Sequence, residues 1–123
     1  MNPNNVTLLQ SWDVAKTTRV WIGGNNLDVR REIEAIAASY KAPPNVPIDC
    51  AFITPIDADE AAYFAEKLSS RLVQNAPVWV AWAISDGVGL AAVSACLRNV
   101  GFDEFRSVAF SANLVTVGFR RRC

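Results

Sequence analysis

An α/β fold with a sheet covered on both faces is the architecture this sequence predicts, and three observations predict it. Residues 78 to 83, VWVAWA, carry no polar side chain; β-branched segments alternate with stretches of helical periodicity; and a two-stranded ending follows the last of these stretches. Successive strand side chains point to opposite faces, so Val78, Val80 and Trp82 line one face while Trp79, Ala81 and Ala83 line the other. A strand apolar on both sides needs cover on both sides, which helices over a parallel sheet provide. The two tryptophans therefore read as core rather than as a binding platform.

The elements follow in order. VTLLQSW, residues 6 to 12, reads as a short helix, and DVAKTT turns the chain into RVWIGG, residues 19 to 24, the first strand. Asn25 or Asn26 can cap the next helix, where Val29, Ile33, Ile36, Ala37 and Tyr40 recur at helical spacing until Pro43 and Pro44 forbid its continuation. IDCAFITP, residues 48 to 55, is the second strand. Asp57 with Glu60 three residues on is a capping signal for a helix bearing Ala61, Phe64, Ala65, Leu68 and Leu72 on one face, to about residue 74.

APVWVAWAI supplies the third strand, and a third helix over about 88 to 100 places Leu90, Val93, Leu97 and Val100 on one side. Gly101 with Phe102 reads as a left-handed stop with its hydrophobic partner. Residues 105 to 111 and 113 to 121, divided at Ala112 and Asn113, form a hairpin. With 123 residues and neither linker nor internal repeat, the chain reads as a single domain, 1 to 123, with right-handed crossovers.

Composition excludes several chemistries. Twelve basic and twelve acidic residues cancel, so no overall positive field favours nucleic acid or an anionic bilayer. With no histidine, neither a Ser-His-Asp nor a Cys-His nucleophilic site can be built from this chain alone. Cys50, Cys96 and Cys123 are widely spaced without a Cys-x-x-Cys pair, which fits two buried reduced thiols and one tail thiol better than a zinc site or disulfide framework. No signal peptide or membrane-spanning run is evident, and a cytoplasmic location is expected.

The order of elements, ending in CLRNVGFDEF and a two-stranded tail, resembles the second half of the S-adenosylmethionine-dependent methyltransferase fold over roughly residues 17 to 121. IDCAFITP is similar to the strand that ends in a polar residue and proline beside the methyl acceptor, and LVQNAPVWVAW to a later strand, with Asn75, Ala76 and Pro77 in place of its glycine-containing turn. The chain also resembles a family of short bacterial proteins of unknown function in which a strand reads like LWVAWPK; VWVAW at 78 to 82 and the arginine-rich ending carry that likeness, while Ala83 and Ile84 replace proline and lysine. The resemblance implies a three-layer Rossmann-like sheet of five strands, order 1-2-3-5-4, the last strand antiparallel and helices on both faces. Methyltransferases hold their cofactor with a glycine-rich turn after the first strand and an acidic residue ending the next; here the first strand ends in IGGNN and the two strands that would carry the acid are missing. The resemblance thus implies the shell without the activity.

In open parallel sheets, ligands bind beyond the carboxyl ends of the strands. The candidate cleft is accordingly lined by Gly23, Gly24, Asn25 and Asn26, by Thr54 and Asp57, and by Ser85, Asp86 and Gly87. GGNN could present amides to an anion or simply make a tight turn and cap; Ser85 or Asp86 could cap the third helix; Asp57 and Asp59 could act as a carboxylate pair, though helix starts favour acids anyway. Asp49 needs a partner if it lies within the sheet, and Arg120, Arg121 and Arg122 read as a solvated tail at the opposite pole. The function expected is a non-catalytic module that binds a small ligand or a protein, itself included, through the uncovered edge of the first strand as a homodimer. The alternative is an enzyme or a binder of S-adenosylmethionine or a nucleotide.

Overall fold

Short apolar segments rich in Val, Ile, Phe and Trp build the sheet, and the stretches between them, with one apolar stripe each, build its covers. In the computed structural model, which describes residues 8–15, 18–37, 46–109, 111 and 113–122, the elements run β1 (Val20–Gly23), α1 (Leu27–Ala37), β2 (Cys50–Ile53), α2 (Ala58–Leu68), β3 (Val78–Ala83), a 3-10 turn (Ile84–Asp86), α3 (Leu90–Asn99), β4 (Phe102–Ala109) and β5 (Leu114–Arg121). Residues 8 to 11 are also helical. The helix start at Val6 and Thr7, Tyr40, the stop at Pro43 and Pro44, the division at Ala112 and the Cys123 thiol lie outside the described residues. No helix among the described residues is long and apolar enough to cross a membrane.

The five strands lie in the order β1-β2-β3-β5-β4; β1, β2 and β3 are parallel, and β5 runs antiparallel to both β3 and β4. This is the order the sequence predicts. All six residues of β3 are buried, with Trp79 at 0% and Trp82 at 4% exposure. Val78, Val80 and Trp82 pack with Ala61, Ala65 and Leu68 of α2 and with Val93 and Leu97 of α3. On the other face, Trp79, Ala81 and Ala83 pack with Val29, Ile33 and Ala37 of α1 and with Leu9 and Trp12. The alternation expected for the tryptophan-bearing strand holds residue by residue.

One topological expectation fails. The strand order advances in one direction from β1 to β2 to β3, yet α1 covers the Cys50 and Phe52 face of β2 while α2 covers the Ala51 and Ile53 face. Two parallel crossovers that advance the same way on opposite faces have opposite hands, so they are not both right-handed. Right-handed crossovers dominate because strand twist favours them. A third crossover, α3 from β3 to β4, which both run antiparallel to β5, shares the face of α2. The apolar opposite face of the sheet is therefore left to α1, and its burial overrides the preference.

Element ends also shift. Helix α2 stops at Leu68, short of residue 74, and Leu72 instead pairs in an isolated bridge with Ile48. Strand β4 begins at Phe102, directly after Gly101 at φ 95°, and only Phe102 is fully buried in it. Asp103 and Glu104, which point to opposite faces, are both exposed at this edge, so neither is required to be apolar, which hid the strand's start. The terminal arginines are bound rather than freely solvated: Arg121 donates to the carbonyls of Ser69 and Leu72, and Arg122 to that of Arg98 (2.6 Å) and to Asp103 (3.2 Å). Arg120 stacks 3.9 Å over the Phe105 ring. Arg121 and Arg122 thus cap carbonyls at the ends of α2 and α3, at the pole opposite the candidate cleft.

Candidate functional site

The loops after β1 and β2 lead to helices on opposite faces, the arrangement that opens a ligand crevice in a doubly covered sheet. In this chain the two loops close on each other. The carbonyl of Gly23 accepts the Thr54 amide (2.9 Å) and the Thr54 hydroxyl (3.2 Å), and the Thr54 carbonyl accepts the Asn26 amide (3.0 Å). Gly24 has φ +132°, and a Cβ there would lie 2.2 Å from the Thr54 carbonyl oxygen. Both its conformation and its surroundings therefore demand glycine, and what approaches it is protein backbone. Glu60 completes the closure, its carboxylate accepting the Asn25 amide (3.0 Å), the Asn25 side-chain amide (2.8 Å) and the Ile56 amide (3.3 Å). An amide that a glycine turn would offer to an anionic ligand is thus taken by the chain's own carboxylate.

Asn26 faces the other way. Its side chain accepts weakly from Val29 (3.4 Å), capping α1, and donates to Asp86 (2.8 Å). The same Asp86 oxygen accepts the Ala83 amide (3.1 Å), so Asp86 caps the 3-10 turn after β3. This corrects the expectation that Ser85 or Asp86 caps α3, whose N-cap is Gly89 with no side-chain bond. Gly87 at φ 76° is the reason: it turns the chain away from Asp86 before α3 begins. Asp57 caps α2 as expected, accepting the Glu60 amide at 2.8 Å, while the Glu60 side chain goes to Asn25 and Ile56.

Three open clefts lie at this pole. One of about 390 Å³ runs between α1 and the hairpin of β4 and β5, with Asn26, Asp28, Glu32, Ser85, Asp86 and Asn113 among its walls. A second, about 420 Å³, is bounded by Asn25, Asn26, Leu27, Asp28, Ile56 and Asp86, and a third, about 400 Å³, by Asn25, Asp57, Asp59, Glu60, Tyr63 and Phe64. Of the nine residues the sequence singles out, Asn25, Asn26, Asp57, Ser85 and Asp86 line these clefts. Gly23, Gly24, Thr54 and Gly87 do not; Thr54 is fully buried beneath the β1 loop. Asp28, Glu32, Ser111 and Asn113 were missed, because the first two read as the wet side of a helix and the last two reach the cleft only through the hairpin's return.

The walls are acidic. Among the described residues no lysine or arginine lines any of the three clefts, whereas Asp28, Glu32, Asp57, Asp59, Glu60 and Asp86 do. Among the described residues, four of the five exposed large hydrophobic ones, Leu27, Ile56, Ile84 and Leu90, lie in or just after the loops that follow β1, β2 and β3. The remaining titratable groups are structural. Arg19 donates through its backbone amide and its side chain to Asp49 (2.9, 2.9 and 3.1 Å), and these bonds hold the Asp49 carboxyl below its ordinary value. The pair begins β2 at the opposite pole. Burial pushes the Cys50 thiol well up, and partial burial together with Asp59, 3.7 Å from its sulfur, raises that of Cys96; neither is an activated thiolate. Cys96, expected as a buried residue, is half-buried. No group of three potential metal-ligating His, Cys, Asp or Glu occurs among the described residues.

No protein-family model matches the chain, and no curated protein matches it in sequence. Solved structures do match in shape. A TehB-like SAM-dependent methyltransferase from Corynebacterium glutamicum aligns with 97% of this chain and 88% of its own, at a TM-score of 0.61 and 6% identity. A ribosomal protein L11 methylase from Lactobacillus delbrueckii aligns with 98% of this chain and 66% of its own (TM-score 0.54, 11% identity). A fibrillarin pre-rRNA processing protein from Methanococcus jannaschii aligns with 84% of this chain, which spans 55% of that protein (TM-score 0.54, 12% identity). At these identities the likeness is one of fold: a five-stranded, methyltransferase-like Rossmann sheet with order 1-2-3-5-4.

Proposed function

We propose that the chain is a methyltransferase-shaped binding module without methyl transfer, and that its carboxyl pole takes a basic, partly apolar peptide segment. The observation that carries this reading is the composition of that pole: six carboxylates on the cleft walls, no cation among them, and Leu27, Ile56, Ile84 and Leu90 exposed around them. Exposed apolar groups rimmed by charge of one sign are a feature of recognition surfaces. S-adenosylmethionine fits these residues poorly. The Asn25 amide of the glycine turn is occupied by Glu60, Gly24 is packed against Thr54, and among the described residues no cationic side chain lines the two clefts beside that turn to meet a ligand carboxylate or a nucleotide phosphate.

The test is titration calorimetry with an amphipathic lysine–leucine peptide, beside thermal-shift assays with S-adenosylmethionine and ATP. The peptide should bind, more weakly as salt rises, and Asp86→Lys should lower its affinity about tenfold, the loss expected of one close charge pair near the surface. A ligand at 100 times its dissociation constant stabilises a fold by about 2.7 kcal/mol. A shift of that size with S-adenosylmethionine, in a chain that ignores the peptide, would replace this reading with that of a cofactor-binding protein.

A further inference from the structure

The sheet has two edges, and among the described residues only one of them is protected. Strand β4 carries Asp103, Glu104 and Arg106, with a register irregularity between Glu104 and Arg106, the devices by which edge strands avoid pairing. Strand β1, VWIG, carries no charge and no bulge, and among the described residues pairs on one side only, with β2. Its carbonyls at Arg19 and Gly23 accept from β2, and backbone groups alternate along a strand, so the N–H and C=O of Val20 and Ile22 point away from the sheet.

Beside this edge, on the α2 face, lies an aromatic ledge. Trp21 packs 5.8 Å from Phe64, which meets Tyr63 edge-on at 5.4 Å, and Tyr63 is 59% exposed. On α2 the ledge is flanked by opposite charges three or four residues away, Glu60 toward the carboxyl pole and Lys67 toward the other.

We propose that β1 pairs antiparallel with β1 of a second copy, joining two five-stranded sheets into one. A two-fold axis beside Trp21 sets Val20 of each chain opposite Ile22 of the other, so that their outward groups exchange four backbone hydrogen bonds, and brings the two Trp21 side chains together as a close, non-hydrogen-bonded pair. The same axis runs the two α2 helices antiparallel. Positions 60 and 67 are symmetric about the midpoint between Tyr63 and Phe64, so Glu60 of one chain faces Lys67 of the partner subunit twice over, and the aromatic ledges meet between them. The patch is complementary to itself, as a two-fold interface requires. The interface takes up Glu60, Tyr63 and Phe64, which also line the third cleft, so the dimer and a ligand of the carboxyl pole share that cleft; none of these three residues lines the other two.

Sedimentation equilibrium of the full chain from micromolar to submillimolar concentration tests it. The wild type should be dimeric, and Trp21→Lys, which sets two like charges against each other at the axis, should raise the dissociation constant about thirtyfold or more. Because Trp21 also contributes to folding, a second variant checks the geometry. Trp21→Cys in a Cys96→Ser, Cys123→Ser background should form an interchain disulfide in a glutathione buffer, since directly opposed non-hydrogen-bonded residues lie about 4.5 Å apart at Cα. Asp103→Cys on the other edge, in that background, should not. A wild type monomeric at every concentration, or a dimer that crosslinks through position 103 and not through position 21, overturns the proposal.

Discussion

Gly24 and Gly87 show how differently two positive-φ glycines can matter. Gly24 combines φ +132° with a Cβ position 2.2 Å from a backbone oxygen, whereas Gly87 has φ +76° and nothing within 4 Å. Gly24→Ala should destabilise by about 2 to 4 kcal/mol, strain plus clash, and Gly87→Ala by about 1 kcal/mol, strain alone. Urea unfolding of both variants checks this, and equal losses would mean that the β1 loop does not pack on Thr54 as described. Asp49 offers a pH test. Its folded carboxyl is held below the unfolded value of about 3.9, so its contribution is fully present above that value and is lost as pH falls through the lower, folded one. Asp49→Asn should therefore flatten the acid limb of the stability profile below about pH 4 and leave the pH dependence near neutrality unchanged. At this scale the sequence was legible for turns and caps, such as Asp57, and silent about partners, because neither Arg19 for Asp49 nor Glu60 for Asn25 follows from spacing.

Among the elements, the segment before β1 is held to the sheet by Leu9, Trp12 and Val14 in the core and by Arg106 on Asp13, and Trp12 makes the buried polar contacts. Trp12 is fully buried, meets Phe52 edge-on at 4.9 Å, donates to the Thr116 hydroxyl at 2.8 Å, and its carbonyl accepts the Trp79 indole at 3.1 Å. Thr116 is itself fully buried, and its hydroxyl donates a hydrogen bond to the Val108 carbonyl. Trp12→Phe keeps most of the apolar volume but removes the donor, and should cost about 1 to 3 kcal/mol in chemical denaturation; a neutral result would mean that the indole bond contributes nothing net. At the opposite pole, Arg121→Met keeps the stem but removes the donors to Ser69 and Leu72, and the melting temperature should drop by about 4 °C for a loss near 1 kcal/mol. The three-arginine ending was visible as a charge cluster. Its caps were not, because only β5 running antiparallel to β3 returns these arginines to the ends of α2 and α3.

Taken as a whole, the molecule is a sheet whose middle is sealed and whose edge strand β4 is wet. β2 and β3 are buried along their length, while β4 keeps five of eight residues exposed. Amide hydrogen exchange should accordingly be slowest in β2 and β3 and fastest, among the strands, in β4. Protection in β4 equal to that in β3 would contradict the layering. The sequence by itself determined the fold class, the strand order through its likeness to a known arrangement, and the core role of Trp79 and Trp82, because period-two alternation and unbroken apolarity are local properties of a segment. Tertiary structure alone decided that α1 and α2 lie on opposite faces, that the β1 loop closes on Thr54 and Glu60, and that the clefts are walled by Asp28, Glu32 and Asn113. Those outcomes depend on which distant segments meet, and contact between distant segments is set by packing of the whole chain rather than by any local pattern.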